Sequence, residues 1–133
     1  ALCQCLAVPN RFRDLGIAVA LNHGLVHRAL ELRPATLLKL LESIDAFRRR
    51  ERVTDVLDAC EADARGRTGL EDQPYPQREL VLAAWHAALA VDTRAMAGPG
   101  GTGEGLAGEL LGEAIRNARL AAITAAREQF KHA

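Results

Sequence analysis

Aromatic side chains are scarce: three Phe, one Tyr and one Trp make up 4% of the 133-residue chain. Any core must therefore be built mainly from Leu, Ala, Val and Ile, and the 49% apolar content is enough to supply one. Lysine is almost missing, with only Lys39 and Lys131, so the basic side chains are nearly all Arg, whose planar forks suit phosphate or carboxylate partners. Neither charge sign dominates, because 17 basic residues meet 17 acidic ones. That balance argues against a protein coated throughout in nucleic acid, though not against a local basic patch. Three cysteines, Cys3, Cys5 and Cys60, form no disulfide framework, and Cys3-Gln4-Cys5 is one residue short of a zinc-ribbon pair. No apolar run approaches the ~20 residues of a membrane span. Nor does a basic segment lead into a long apolar one at the start, as a secretory signal would require. A soluble, cytoplasmic protein is expected. The opening ALCQCLAVPN, without Met, reads as the interior of a longer chain.

What is present is helical periodicity. Leu37, Leu40, Leu41, Ile44 and Phe47 share one face, and Pro34 suits the first turn of that helix. Val53, Val56, Leu57, Cys60 and Ala64 make the next stripe, with Gly66 as its stop. Val81, Ala84, Trp85, Ala88 and Leu89 follow, on a helix starting near Pro76. Towards the end, Ala107, Leu110, Leu111, Ala114, Ala118, Ala121, Ala122 and Ala125 form a broad small-residue stripe, with Arg116, Arg119 and Arg127 away from it. Residues 9–32 also read as helical, with a break near Asn22-His23-Gly24. Residues 66–76 and 97–103 are the punctuated loops. No alternating segment is long enough for a strand. The expectation is an all-α fold, a compact helical domain of about six to seven helices with no sheet.

Four short features carry chemistry. GEGLAG, Gly103–Gly108, matches a dinucleotide fingerprint, but no strand precedes it, so it reads as a loop entering the last helix. His23 and His27 stand four apart on one helical face, a spacing metals use, without the Glu of the zinc-protease form. Arg48, Arg49, Arg50 and Arg52 surround Glu51 and either meet a phosphate backbone or form a solvated helix end. In EADARGR, Glu61 is four residues before Arg65 and Asp63 four before Arg67, the favoured order for helical ion pairs. Such pairs contribute only ~0.3–0.5 kcal/mol each. Arg65 and Arg67 are therefore divided between a structural role, holding the Tyr75 loop, and a binding role.

The stretches ELRPATLLKLLESIDAFRR and EADARGRTGLEDQPYPQ, followed by GEAIRNARLAAI, resemble the C-terminal body and tail of bacterial CCA-adding enzymes, the tRNA nucleotidyltransferases. The resemblance implies a parent that adds CCA to tRNA 3′ ends from CTP and ATP with Mg²⁺, on a catalytic head absent from this chain. This chain would then hold no catalytic residue and no cofactor. It would bind the corner and acceptor arm of tRNA through Arg48, Arg49, Arg50, Arg52, Arg65, Arg67, Arg116 and Arg119. VPNRFRDLGIAVALNHGLVH resembles the end of the HD phosphohydrolase domain that some bacterial members carry, with His23 and His27 on its late His positions. The implied organisation is 1–32 as the end of an HD-like helical domain and 33–133 as a helical tail domain. Two alternatives stand beside it: a metal-dependent phosphohydrolase remnant using His23 and His27, and a helical interaction module that forms a homodimer through the Ala-rich last helix.

Overall fold

The computed structural model describes residues 10–66, 69, 72–97 and 108–132. Within them the order is α1 (Asn10–His27), a 3-10 turn (Ala29–Glu31), α2 (Pro34–Ser43), α3 (Glu51–Arg65), α4 (Pro76–Leu89), α5 (Thr93–Ala97) and α6 (Gly108–Lys131). The described residues contain no strand. Five of these helices are long, so the expected six to seven is slightly high and is reached only by counting the short turns. No described helix is long and apolar enough to cross a membrane. GEGLAG lies outside the described residues up to Gly108, as do Cys3, Cys5 and Arg67.

Local chemistry accounts for most element boundaries. Pro34 and Pro76 occupy the first turns of α2 and α4, where a missing N–H costs nothing. Arg33, just before Pro34, is extended, as the proline ring requires. α1 runs through Asn22-His23-Gly24 without the expected break. Buried Asn22 supports it by donating to the Ala18 carbonyl at 2.9 Å and the Ser43 hydroxyl at 3.1 Å. Gly66 ends α3 in right-handed geometry, its N–H bonding to Ala62 O. The stop therefore does not use glycine's left-handed freedom.

The core is one cluster. Leu37, Leu38, Leu40, Leu41 and Ile44 from α2 and its end meet Val53, Val56, Leu57 and Cys60 from α3. Leu80, Val81, Ala84, Trp85 and Ala88 from α4, and Ala18 and Val26 from α1, complete it. α1 packs chiefly on α3, while α6 lies along α4 and also reaches α2. The phase of α6 differs from the Ala-stripe expectation. Ile123 is its fully buried residue, whereas Leu110, Ala121 and Ala125 are exposed. With Ile123 turned inward, Arg116, Arg119 and Arg127 fall beside the packed face rather than away from it, and the Nε atoms of Arg119 and Arg127 are buried. Their aliphatic stems do the covering, as long cationic side chains can.

Candidate functional site

The arginine run sits on a turn with a defined cause. Asp45 has φ +60°, a region in which Asp is tolerated better than most residues. Its N–H bonds to Glu42 O, and the N–H of Ala46 bonds to Leu41 O. This is the paired pattern of a Schellman cap with Asp in the usual glycine position. Ala46 is buried, and its carbonyl accepts the indole N–H of Trp85 at 3.1 Å. The Asp45 carbonyl then accepts from the N–H groups of both Arg48 and Arg49. The turn is thus fastened to α4 by a buried hydrogen bond, and the next three residues, Arg48, Arg49 and Arg50, point to solvent.

These arginines are not equivalent. Arg48 and Arg50 are exposed and make no ion pair among the described residues. Arg49 lies between Asp14 of α1 at 3.9 Å and Asp45 at 3.7 Å. Arg52 shares a shallow cleft with Arg49, Glu51, Asp55 and Leu15. From α6, the Arg119 guanidinium stacks on Phe47, 3.9 Å above the ring, and Arg116 donates to Glu42 at 2.9 Å. Burial of Arg119 weakens its hold on the proton, while Glu42 acts in the opposite direction; a guanidinium stays charged throughout. Phe47 adjoins Arg48, so the fold brings the α2–α3 turn and the middle of α6 into one arginine surface. Sequence analysis named these residues but took the α6 arginines to lie clear of the packed face.

Arg65 belongs elsewhere. It closes α3 about 20 Å along the axis from the start of that helix, and it pairs with Glu61 at 3.5 Å as expected. Glu61 also faces Arg78 at 3.9 Å, and Arg78 meets Asp58 at 2.7 Å. Asp63 accepts from His27 Nε2 at 3.1 Å. Tyr75 is held not by Arg65 but by His27, whose Nδ1 lies 2.8 Å from the phenol oxygen. One arrangement satisfies all three groups: the phenol donates to Nδ1 and Nε2–H donates to the Asp63 carboxylate. Gln77 Nε2 donates to the His27 carbonyl at 3.0 Å, tying the loop to the end of α1.

Both ring nitrogens of His27 are therefore engaged, and His23 turns Nδ1 to the Val19 and Ala20 carbonyls. Their rings are 6.1 Å apart, yet no group of three His, Cys, Asp or Glu side chains among the described residues is placed to hold a metal ion. The Tyr75–His27–Asp63 link joins residues far apart in sequence, so no local pattern could have revealed it.

Cys60 and Tyr75 are buried beside these carboxylates. Burial, aided by Asp63, pushes the Cys60 thiol from about 9 up to about 11, and burial raises the Tyr75 phenol as well. The folded protein thus holds these protons when the unfolded chain releases them. Their contribution is intact below the unfolded thiol pKa and is lost as pH rises through about 9 towards about 11. Stability measured by urea unfolding is expected to fall over that window, each group contributing at most about 1.4 kcal/mol per pH unit. A Cys60→Ala variant is expected to show a shallower decline, and equal slopes would contradict the assignment.

Comparison with known proteins gives three representative relatives. This chain is 50% identical to the multifunctional CCA protein of Thioalkalivibrio sulfidiphilus over 123 residues, 92% of this chain and 29% of that protein. It is 49% identical to the multifunctional CCA protein of Nitrosococcus oceani over 122 residues, covering 92% and 29%. It is 50% identical to that of Variovorax paradoxus over 125 residues, covering 94% and 30%. The chain thus spans about three tenths of the length of these relatives. No family model matches, and no solved structure matches.

Proposed function

We propose, on the premise that this chain is homologous to part of the multifunctional CCA proteins, that it is the tRNA-binding and scaffolding region of a cytoplasmic CCA-adding enzyme. In this reading the parent adds CCA to tRNA 3′ ends from CTP and ATP with Mg²⁺, and its catalytic groups lie outside the 133 residues. Residues 1–32 end an HD-like helical unit and residues 33–133 form the tail. The observation that carries the reading is the capped turn that leaves Arg48 and Arg50 exposed next to Phe47, the ring on which Arg119 stacks. These two guanidiniums, without an ion pair among the described residues, are available to phosphates, while Arg49, Arg116 and Arg119 have protein partners. A rigid cationic ridge suits double-stranded RNA, which is recognised through backbone and 2′-hydroxyl groups across its shallow groove rather than through base edges.

The test is binding of labelled tRNA, against a minihelix that lacks the tRNA corner, at about 50 and 200 mM salt. The reading predicts tighter binding of whole tRNA and a marked loss at the higher salt. Absence of binding to either RNA at low salt would mean that these residues brace other parts of the parent and touch no RNA.

A further inference from the structure

α1 turns Ala18, Asn22 and Val26 into the core, yet its outer side is apolar as well. Between Arg13 and Arg28 the exposed residues are Gly16, Ile17, Ala20, Leu21, His23 and Gly24, with no acid, lysine or arginine among them. Leu21 is 72% exposed and Ile17 52%. A helix that is apolar on all sides is ordinarily enclosed by protein. Among the described residues this one is enclosed on one side only.

Shape marks the face as well as polarity. Gly16, Ala20 and Gly24 recur every four residues and form a shallow groove along about 12 Å of helix. Ile17 and Leu21 stand beside it as a ridge with the same spacing. Apart from the adjoining residues and the helix backbone, no described atom lies within 4 Å of where a Cβ on Gly16 or Gly24 would stand. Glycine weakens a helix interior, and nothing among the described residues gains from its small size at these two positions. A second helix would gain, because its own four-residue ridge could lie in the groove at a crossing angle of about −50°.

The occupant follows from chain length. This chain matches its relatives at 49–50% identity but spans only about three tenths of them. About seven tenths of such a parent therefore lies outside these residues. The arginine ridge is charged, and the far end of α3 carries Asp58, Glu61 and Asp63. The outer face of α1 offers the uncharged surface that an internal contact needs. We infer that this face is an interface inside the parent enzyme, covered by an apolar helix from outside these 133 residues. That helix sets aliphatic side chains in the groove and turns no charge toward Leu21. The inference rests on the premise of a longer parent, which it shares with the functional proposal, and not on RNA binding by the ridge.

The experiment places Leu21→Cys in this chain and in the full-length parent and follows alkylation of the native proteins by mass spectrometry. The tryptic peptide Asp14–Arg28 contains no natural cysteine, so its label reports position 21 alone. Labelling is expected to be about tenfold slower or more in the parent, where it waits on local opening. Equal rates in the two proteins would overturn the proposal. Slow labelling of this chain that speeds up on dilution would also overturn it, because a second copy would then be the cover. Ile17→Cys reads the same ridge through the same peptide and decides if the first variant does not fold in the parent. Leu21→Asp in this chain is expected to leave tRNA affinity unchanged, and a loss of affinity would make the face an RNA contact instead. The two readings fail separately. Equal labelling rates remove only the α1 interface, whereas absence of tRNA binding removes only the ridge.

Discussion

Replacing Trp85 by Ala is expected to lower the unfolding free energy by about 3–5 kcal/mol, the usual range for truncating a buried Trp. The indole is 8% exposed and sits in the core of α4. Its loss also orphans the Ala46 carbonyl, at a cost of about 1–3 kcal/mol that partly overlaps the cavity cost. The consequence reaches function, because Ala46 anchors the turn that carries Arg48 and Arg50. Trp85→Phe helps to separate the two effects: it removes the hydrogen bond while leaving a much smaller cavity than Ala does. Chemical unfolding followed by circular dichroism checks both variants. A loss below about 1 kcal/mol for Trp85→Ala would be typical of a surface site, and would mean that the turn is not fastened to the core at this point.

The helical stripes could be read from the sequence because each is a local pattern. Leu37, Leu40, Leu41 and Ile44 are buried together, as are Val53, Val56, Leu57 and Cys60. The period follows from helix geometry and needs no knowledge of the partner surface. What escaped detection depends on such knowledge. The cap after α2 was hidden because its left-handed position holds Asp45 instead of glycine. The rotation of α6 was misjudged because many small residues spread around that helix, and Ile123, with Leu120 and Phe130, settles which side enters the core. The Asp63–Arg67 pair expected from spacing falls outside the described residues. Among the described residues Asp63 accepts from His27, 36 residues away, a contact set by how α1 crosses α3. The arginines were legible as residues; their division into a ridge and a separate cluster at the far end of α3 was not.

Charge reversal at Arg48 and Arg50 is the second large effect. Both side chains are exposed and without ion pairs among the described residues, so Arg48→Glu with Arg50→Glu is expected to change stability by no more than about 0.5 kcal/mol. RNA affinity is expected to respond quite differently. Two lost phosphate contacts reduce the salt slope by about 2 and weaken binding by about a hundredfold at low salt. Arg49→Glu is a poorer probe, because it also disturbs Asp14 and Asp45.

The most direct measurement is therefore the affinity for whole tRNA, determined across a salt series, for the wild-type chain and the Arg48→Glu/Arg50→Glu double variant side by side. The ridge predicts a weaker and less salt-sensitive variant whose circular dichroism matches that of the wild type. Two superimposable salt curves would contradict it, and would move any RNA contact of this chain away from the α2–α3 turn.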